Sequence, residues 1–331
     1  MKRLILTLMN GVPASTGSLV LSDAINRIQS YTFEGCEGLS GTLIIPSSVT
    51  SIGPAAFGQC TGFTGTLVIP ESVTELNTPV PPINGIRGTF QDCTGFTSLV
   101  LPESLRIIGG GSGGGCFAWC SNLSGSLDLP DSLTEIGDLA FAGCVGLTGT
   151  LTLPSSLTYI GSEAFTGCTG FYGELVVPHS VTLIEAAAFA YCQGFTSVTL
   201  GAGLERMEHD VFMNTPIETI KIHAETPPGL HFNAFNGVDE SIPVYIPCNT
   251  LDLYRFAEVW WLFTNFTAAA AVLAALPLAG CHNDNGKQPE TPAIEQTAPE
   301  PDTLPTDTID YERMRRLQIL LRGSGNWHSE K

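Results

Sequence analysis

Basic residues are scarce in this chain: 14 Lys and Arg stand against 32 Asp and Glu among 331 residues, a net charge of −18. Polyphosphate backbones are held by a basic stripe that displaces their counterions, so nucleic acid is not expected as a partner. Charged residues of both signs reach only 14% and aromatics 8%. Catalytic and metal signatures are missing as well. No Cys-x-x-Cys or His-Glu-x-x-His spacing occurs. The histidines (His179, His209, His223, His231, His282 and His328) are scattered as surface or capping residues would be. The run Gly109–Gly115 is followed by no Lys-Ser or Lys-Thr and no helical pattern, so it is no phosphate cradle. Its Gly-Gly-Ser-Gly-Gly centre matches a nucleophile elbow in letters only. Neither an enzyme, a metal site nor a cofactor is therefore expected. What the chain does hold in quantity is Gly (36) and Pro (22), a turn-rich load that speaks against long helical domains. An acidic, Ser- and Thr-rich exterior suits solubility outside the cell or contact with basic or carbohydrate partners.

One phrase recurs from about Phe33 to Phe212, in its fullest form FAGCVGLTGTLTLPSSLTYIGSEA over Phe141–Ala164. The opening aromatics Phe33, Phe57, Phe90, Phe117, Phe141, Phe165, Phe189 and Phe212 are separated by 24, 33, 27, 24, 24, 24 and 23 residues. The longer steps carry the insertions Asn77–Asn84 and Gly109–Gly115. At Thr97-Ser98 and Thr196-Ser197 the usual Thr-Gly-Thr is one residue short, a loss assigned to a turn.

A period of 24 describes one coil of a stack, since a single coil cannot bury its own apolar side. In Leu151-x-Leu153-Pro154 the apolar residues alternate, as in a strand with one face inward, and Pro ends it. Leu157 and Ile160 form a second inward pair, Gly161 permits a bend, and Ala164-Phe165, Cys168 and Phe171 lead back. Eight or nine coils at about 4.8 Å would give a rod of roughly 40 Å with a continuous parallel sheet along the strand side.

The strand residue between the inward pair must face solvent: Ile44, Val68, Val100, Asp128, Thr152, Val176, Thr199 and, in a looser coil, Lys221. The preceding outward position holds Thr42, Thr66, Ser98, Ser126, Thr150, Glu174, Ser197 and Thr219. As candidate binding residues we take Asp128, Thr152, Val176, Thr199, Lys221, Ser126, Thr150 and Glu174 from these two rows.

The phrase I-P-x-S-V-T-x-I-G-x-x-A-F-x-x-C, seen at Ile45–Cys60, resembles the BspA-like leucine-rich repeat, over about Ile28–Phe266. The closing stretch resembles that family's last coils, with Val244–Pro247 as the final strand and Tyr254 and Trp260 sealing the stack. The resemblance implies a leucine-rich-repeat solenoid at the bacterial cell surface or secreted, with no enzymatic activity of its own, that binds a host or matrix protein or another cell-surface ligand. A structural spacer, or a lipoprotein-type fusion without a ligand, is the competing reading.

Seven cysteines (Cys36, Cys60, Cys93, Cys120, Cys144, Cys168, Cys192) lie three residues after the repeat Phe. Buried small hydrophobes, disulfides between adjacent coils and metal ligands are the three readings of this ladder. Cys116 is read as a loop cysteine. At the N-terminus, residues 1–27 are either a short signal segment or a cap. Near the other end, Val259–Gly280 is uncharged and finishes in Leu278-Ala279-Gly280-Cys281, the form of a lipobox with Cys281 as the acylated residue. Three readings of 259–281 stay open: a lipoprotein-like fusion, a membrane anchor and an apolar cap. The expected domains are thus 1–27, a solenoid over 28–265, a lipobox-like or membrane segment over 266–281, and a Pro/Thr-rich tether over 282–331 with a short helix near Tyr311–Leu321.

Overall fold

The computed structural model describes residues 18–76, 88–109 and 115–268, and over them the chain winds as a solenoid of about nine coils. The longest sheet is not on the strand side. It has nine parallel strands of two residues each: β1 (Arg27–Ile28), β2 (Ser51–Ile52), β4 (Glu75–Leu76), β6 (Ile107–Ile108), β7 (Glu135–Ile136), β8 (Tyr159–Ile160), β10 (Leu183–Ile184), β12 (Arg206–Met207) and β14 (Gly229–Leu230). In β2, β4, β6, β7, β8 and β10 the first residue is half-buried and the second buried, so each of these strands adds one side chain to the core.

The Leu-x-Leu-Pro side is discontinuous, which corrects the expectation of one sheet there. β3 (Gly65–Val68) pairs with β5 (Phe96–Val100), and separately β9 (Gly173–Val176), β11 (Phe195–Leu200), β13 (Thr219–Ile222), β15 (Pro243–Ile246) and β16 (Asn265–Ala268) form a second sheet. Between them the coils around Asp128 and Thr152 contribute only isolated bridges, such as Thr152 with Val176. Glycine alone does not account for the break. In the full-length phrases Gly41, Gly65, Gly125, Gly149 and Gly173 all take left-handed φ, of 82°, 80°, 85°, 93° and 87°, yet Gly65 and Gly173 open β3 and β9. Where the phrase is one residue short, at Thr97-Ser98 and Thr196-Ser197, the chain runs extended from the Phe and makes the two longest strands. The deletions therefore lengthen strands and recruit their neighbours, where a shortened turn had been expected.

β15 covers Val244–Ile246 of the Val244–Pro247 segment expected to be the final strand, yet β16 pairs with it in parallel and closes the sheet one coil later. Helix α1 (Leu251–Phe256) and a 3-10 turn (Trp260–Leu262) lie between them. Tyr254 and Trp260 are fully buried there, and their polar ends donate to Ala224 O at 2.7 Å and Pro228 O at 2.8 Å.

Inside, the repeat phenylalanines stand in file. From Phe33 through Phe57, Phe90, Phe117, Phe141, Phe165, Phe189 and Phe212 to Phe235, neighbouring rings lie 5.1–5.9 Å apart within 19° of parallel. Phe235 is a ninth rung that the phrase had not included. Each buried ring contributes about 1.5–3 kcal/mol by leaving water, and its ring contacts add to that.

The cysteine ladder runs beside the rings as free thiols. Cys60, Cys93, Cys120, Cys144, Cys168 and Cys192 each donate through Sγ to the carbonyl of the Phe one coil back, at 3.0–3.2 Å. In the next coil Thr215 takes the same place, its hydroxyl donating to Phe189 O at 2.7 Å. The ladder thus fills a slot and adds a second donor to a carbonyl that already accepts from the backbone N–H three residues on, as Phe141 O does from Cys144 N–H at 3.1 Å. Cys116, read as a loop residue, is completely buried as well. The repeat Ser acts similarly: Ser48, Ser156 and Ser180 donate to Ile25, Leu133 and Leu157 carbonyls one coil back at 2.6–2.7 Å.

Candidate functional site

The outward rows on the strand side fall largely where the alternation places them. Ser126, Asp128, Thr150, Thr152 and Val176 are exposed, Val176 by 50%. Thr199 is a correction: it is buried, at 8% exposure. Its hydroxyl donates to Glu174 Oε1 at 2.6 Å, and Lys221 Nζ donates to the same oxygen at 2.9 Å. Glu174 in β9 and Lys221 in β13 thus close over Thr199 from the strands on either side, which alternation along one strand cannot foresee. The two donors hold the Glu174 carboxyl below its ordinary range, the Thr199 hydroxyl contributing most. Three candidate residues therefore form one network.

Four candidates meet in a shallow groove. Thr150, Thr152, Glu174 and Val176 line it, with Ser155, His179 and Ser180 at its rim. A second depression is bounded by Val100, Glu103, Asp128 and Asp131. His179 and His223, scattered in the sequence, come together at 5.1 Å between ring centres. His179 Nδ1 accepts from the Ala202 N–H at 2.9 Å. Burial, with His179 and Lys221 nearby, lowers the pKa of His223. His209 and His231 pair in the same way at 5.5 Å. Fold proximity of residues two coils or one coil apart brings about both pairs, and no short motif signals either.

The thiols are chemically quiet. Burial pushes Cys60 and Cys192 up to about 12 and Cys93, Cys120, Cys144 and Cys168 well above their ordinary value, so reactive thiolate is suppressed. Among the described residues no group of His, Cys, Asp and Glu is arranged to hold a metal ion.

Of the apolar span 259–280, residues Val259–Ala268 form the 3-10 turn and β16, and among the described residues no helix is long and apolar enough to cross a membrane. Cys281, the tether and the short helix near Tyr311 lie outside the described residues, as do residues 1–17.

The family profile described as "BspA type leucine rich repeat region" matches in six copies, over residues 14–112, 86–172 and 112–241. The chain belongs to this family. No curated protein matches the BspA-type chain in sequence. Among solved structures, the pneumococcal vaccine antigen PcpA is 15% identical over 77% of this chain and 67% of its own, with a TM-score of 0.50. A leucine-rich repeat protein from Bacteroides ovatus is 19% identical over 77% and 84% of the two chains, TM-score 0.36. A leucine rich cell surface protein from Faecalibacterium prausnitzii is 18% identical over 78% and 88%, TM-score 0.35.

Proposed function

We propose that this BspA-type solenoid is a non-catalytic binding module displayed at a bacterial cell surface, which engages a host or matrix protein through its strand face and insertion loops. The observation that carries the reading is the groove into which Thr150, Thr152, Glu174 and Val176 converge from adjacent coils. Its lining mixes hydroxyl, carboxylate and aliphatic groups, Leu151, Leu153 and Pro178 among them, as a protein-contacting surface does. Many modest contacts spread over several coils would supply the affinity, since no aromatic cluster sits among these residues. The BspA-type repeat and the likeness in fold to PcpA, named as a pneumococcal vaccine antigen, support the location.

The test is capture of proteins from an extracellular-matrix extract on the immobilised full chain, compared with the triple variant Asp128→Lys, Thr152→Arg, Val176→Arg. All three side chains are exposed, so the variant keeps its core. Loss of at least about tenfold in captured partner, at an unchanged unfolding temperature, is the expected outcome. Equal capture by both chains would place the contact surface elsewhere.

A further inference from the structure

Two residues after every stacked Phe, from Gly35 to Gly237, the backbone turns through the left-handed region, with φ between 53° and 85°. Backbone hydrogen bonds hold these turns in file along one edge. Trp119 N–H donates to Ala142 O at 2.6 Å, Gly143 to Thr166 O at 2.8 Å, Gly167 to Ala190 O at 2.9 Å and Tyr191 to Met213 O at 2.8 Å. Glycine suits this conformation, and Gly143 and Gly167 supply it. Trp119 and Tyr191 do the opposite, placing two of the bulkiest side chains where the backbone disfavours any Cβ. Gln59, Asp92 and Asn214 hold the same conformation in this file; what sets Trp119 and Tyr191 apart is that each leaves a large ring 44% exposed there.

Both rings lean in the same direction. A Cβ on Gly143 would come within 2.6 Å of Trp119 Cδ1, so the indole lies across the next coil. The Tyr191 hydroxyl lies 4.0 Å from Met213 Sδ, again over the next coil. Past the indole the floor is bare, since nothing approaches the Cβ position of Gly167 closer than 4.0 Å. Two half-exposed aromatic side chains, each reaching over the next coil, thus stand three coils apart, with Gly143 and Gly167 between them. The Phe rings beneath step by 5.4, 5.5 and 5.4 Å.

We infer that this edge is a binding shelf for an extended chain of neutral, equatorially linked pyranose sugars. The C–H faces of such sugars stack on flat aromatic rings, and equatorial linkage keeps the chain straight enough to reach both platforms across the glycine floor. Thr169 and Gln193, exposed beside the shelf, offer to sugar hydroxyls a hydroxyl and the amide oxygen, the Gln193 nitrogen donating to Asn214 O at 2.6 Å. No Lys or Arg belongs to the file and Asp92 flanks its upstream end, so uronates and other anionic sugars are disfavoured. The described cavities around 99–131, 150–180 and 202–228 are lined by other residues, so the ligand is one that lies along a surface. The shelf is separate from the strand face and does not depend on the protein-binding reading.

Calorimetric titration of the full chain with cellohexaose and chitohexaose, two neutral β-1,4-linked probes, tests the assignment. The variants are Trp119→Gly and Tyr191→Gly. Glycine already occupies this position in neighbouring coils, so both should fold, with unfolding temperatures equal to or above the parent. Saturable binding of at least one probe, weakened about tenfold by each substitution and lost in the double variant, is the supporting result. The strand-face triple variant should bind the same probe as the parent does. Three results would overturn the shelf: no binding of either probe, undiminished binding by the double variant, or tighter binding of a Lys-rich peptide, which would mean cation–π capture instead.

Discussion

A carboxylate that finds no cation on folding is better tolerated in the unfolded chain. On the outer face of the nine-stranded sheet, Glu135, Asp138 and Glu185 all have raised pKa values, each chiefly through burial. For Glu135 the charges of Asp138 and Glu75 add to the shift, and for Glu185 those of Glu208 and Asp138. Arg206, the cation beside Glu185, is paired with Glu208 at 2.6 Å. Because the folded pKa lies above the unfolded one, the favourable contribution is complete below the ordinary carboxyl range and is lost as pH rises through the folded value. Glu135→Gln combined with Glu185→Gln should therefore raise the unfolding temperature at pH 7 by roughly 1–3 °C and give no gain below about pH 4. Thermal denaturation at the two pH values checks this, and a gain of equal size at both would refute the charge explanation. Such residue-scale coupling was illegible in the sequence, as was the replacement of the cysteine ladder by Thr215. In each case the partner lies one coil away, and the identity of that partner follows only from the register of stacking.

At the scale of elements, the sequence showed which residues face inward and misjudged which segments pair. Period-2 apolarity correctly placed Leu151, Leu153 and Leu175 in the core. It carried no information on whether neighbouring coils keep a ladder, because β3 and β9 pair where the coil stacked beside them carries the shortened phrase. The two-residue strands of the long sheet were hidden for a related reason: one inward residue per coil leaves no alternation to read. The end of the stack was clearer. Bulky Tyr254 and Trp260 follow the last Ile-Pro, and both bury rings and satisfy carbonyls of the preceding coils. Tyr254→Phe keeps the ring and removes only the donor to Ala224 O, at an expected cost of about 1–3 kcal/mol. Trp260→Ala removes both ring and donor and should cost about 3–5 kcal/mol. Urea denaturation of the two variants orders them, and equal costs would mean that the cap acts by some means other than packing.

For the whole molecule, the decisive property is that each coil packs chiefly on the coils next to it, the Lys221–Glu174 and His179–His223 contacts reaching two coils, so stability is close to a chain of nearest-neighbour terms. The Phe file makes this testable within one residue type. Phe141 stacks on Phe117 and Phe165 at 5.4 and 5.5 Å, whereas Phe33, at the start of the file, stacks on Phe57 alone at 5.1 Å. Both rings are buried, so a compact domain with one shared core would lose a similar amount from either truncation. In a solenoid the outcomes differ in kind. Phe141→Ala opens two interfaces at mid-stack, should cost about 3–5 kcal/mol, and should let the segments on either side unfold separately, with a reduced denaturant slope. Phe33→Ala should fray only the first coils and leave hydrogen-exchange protection from Phe90 onward unchanged. Amide exchange read coil by coil distinguishes these results. Uniform loss of protection along the rod in the Phe33 variant would show that the coils fold as one cooperative body, and the nearest-neighbour account would then fail.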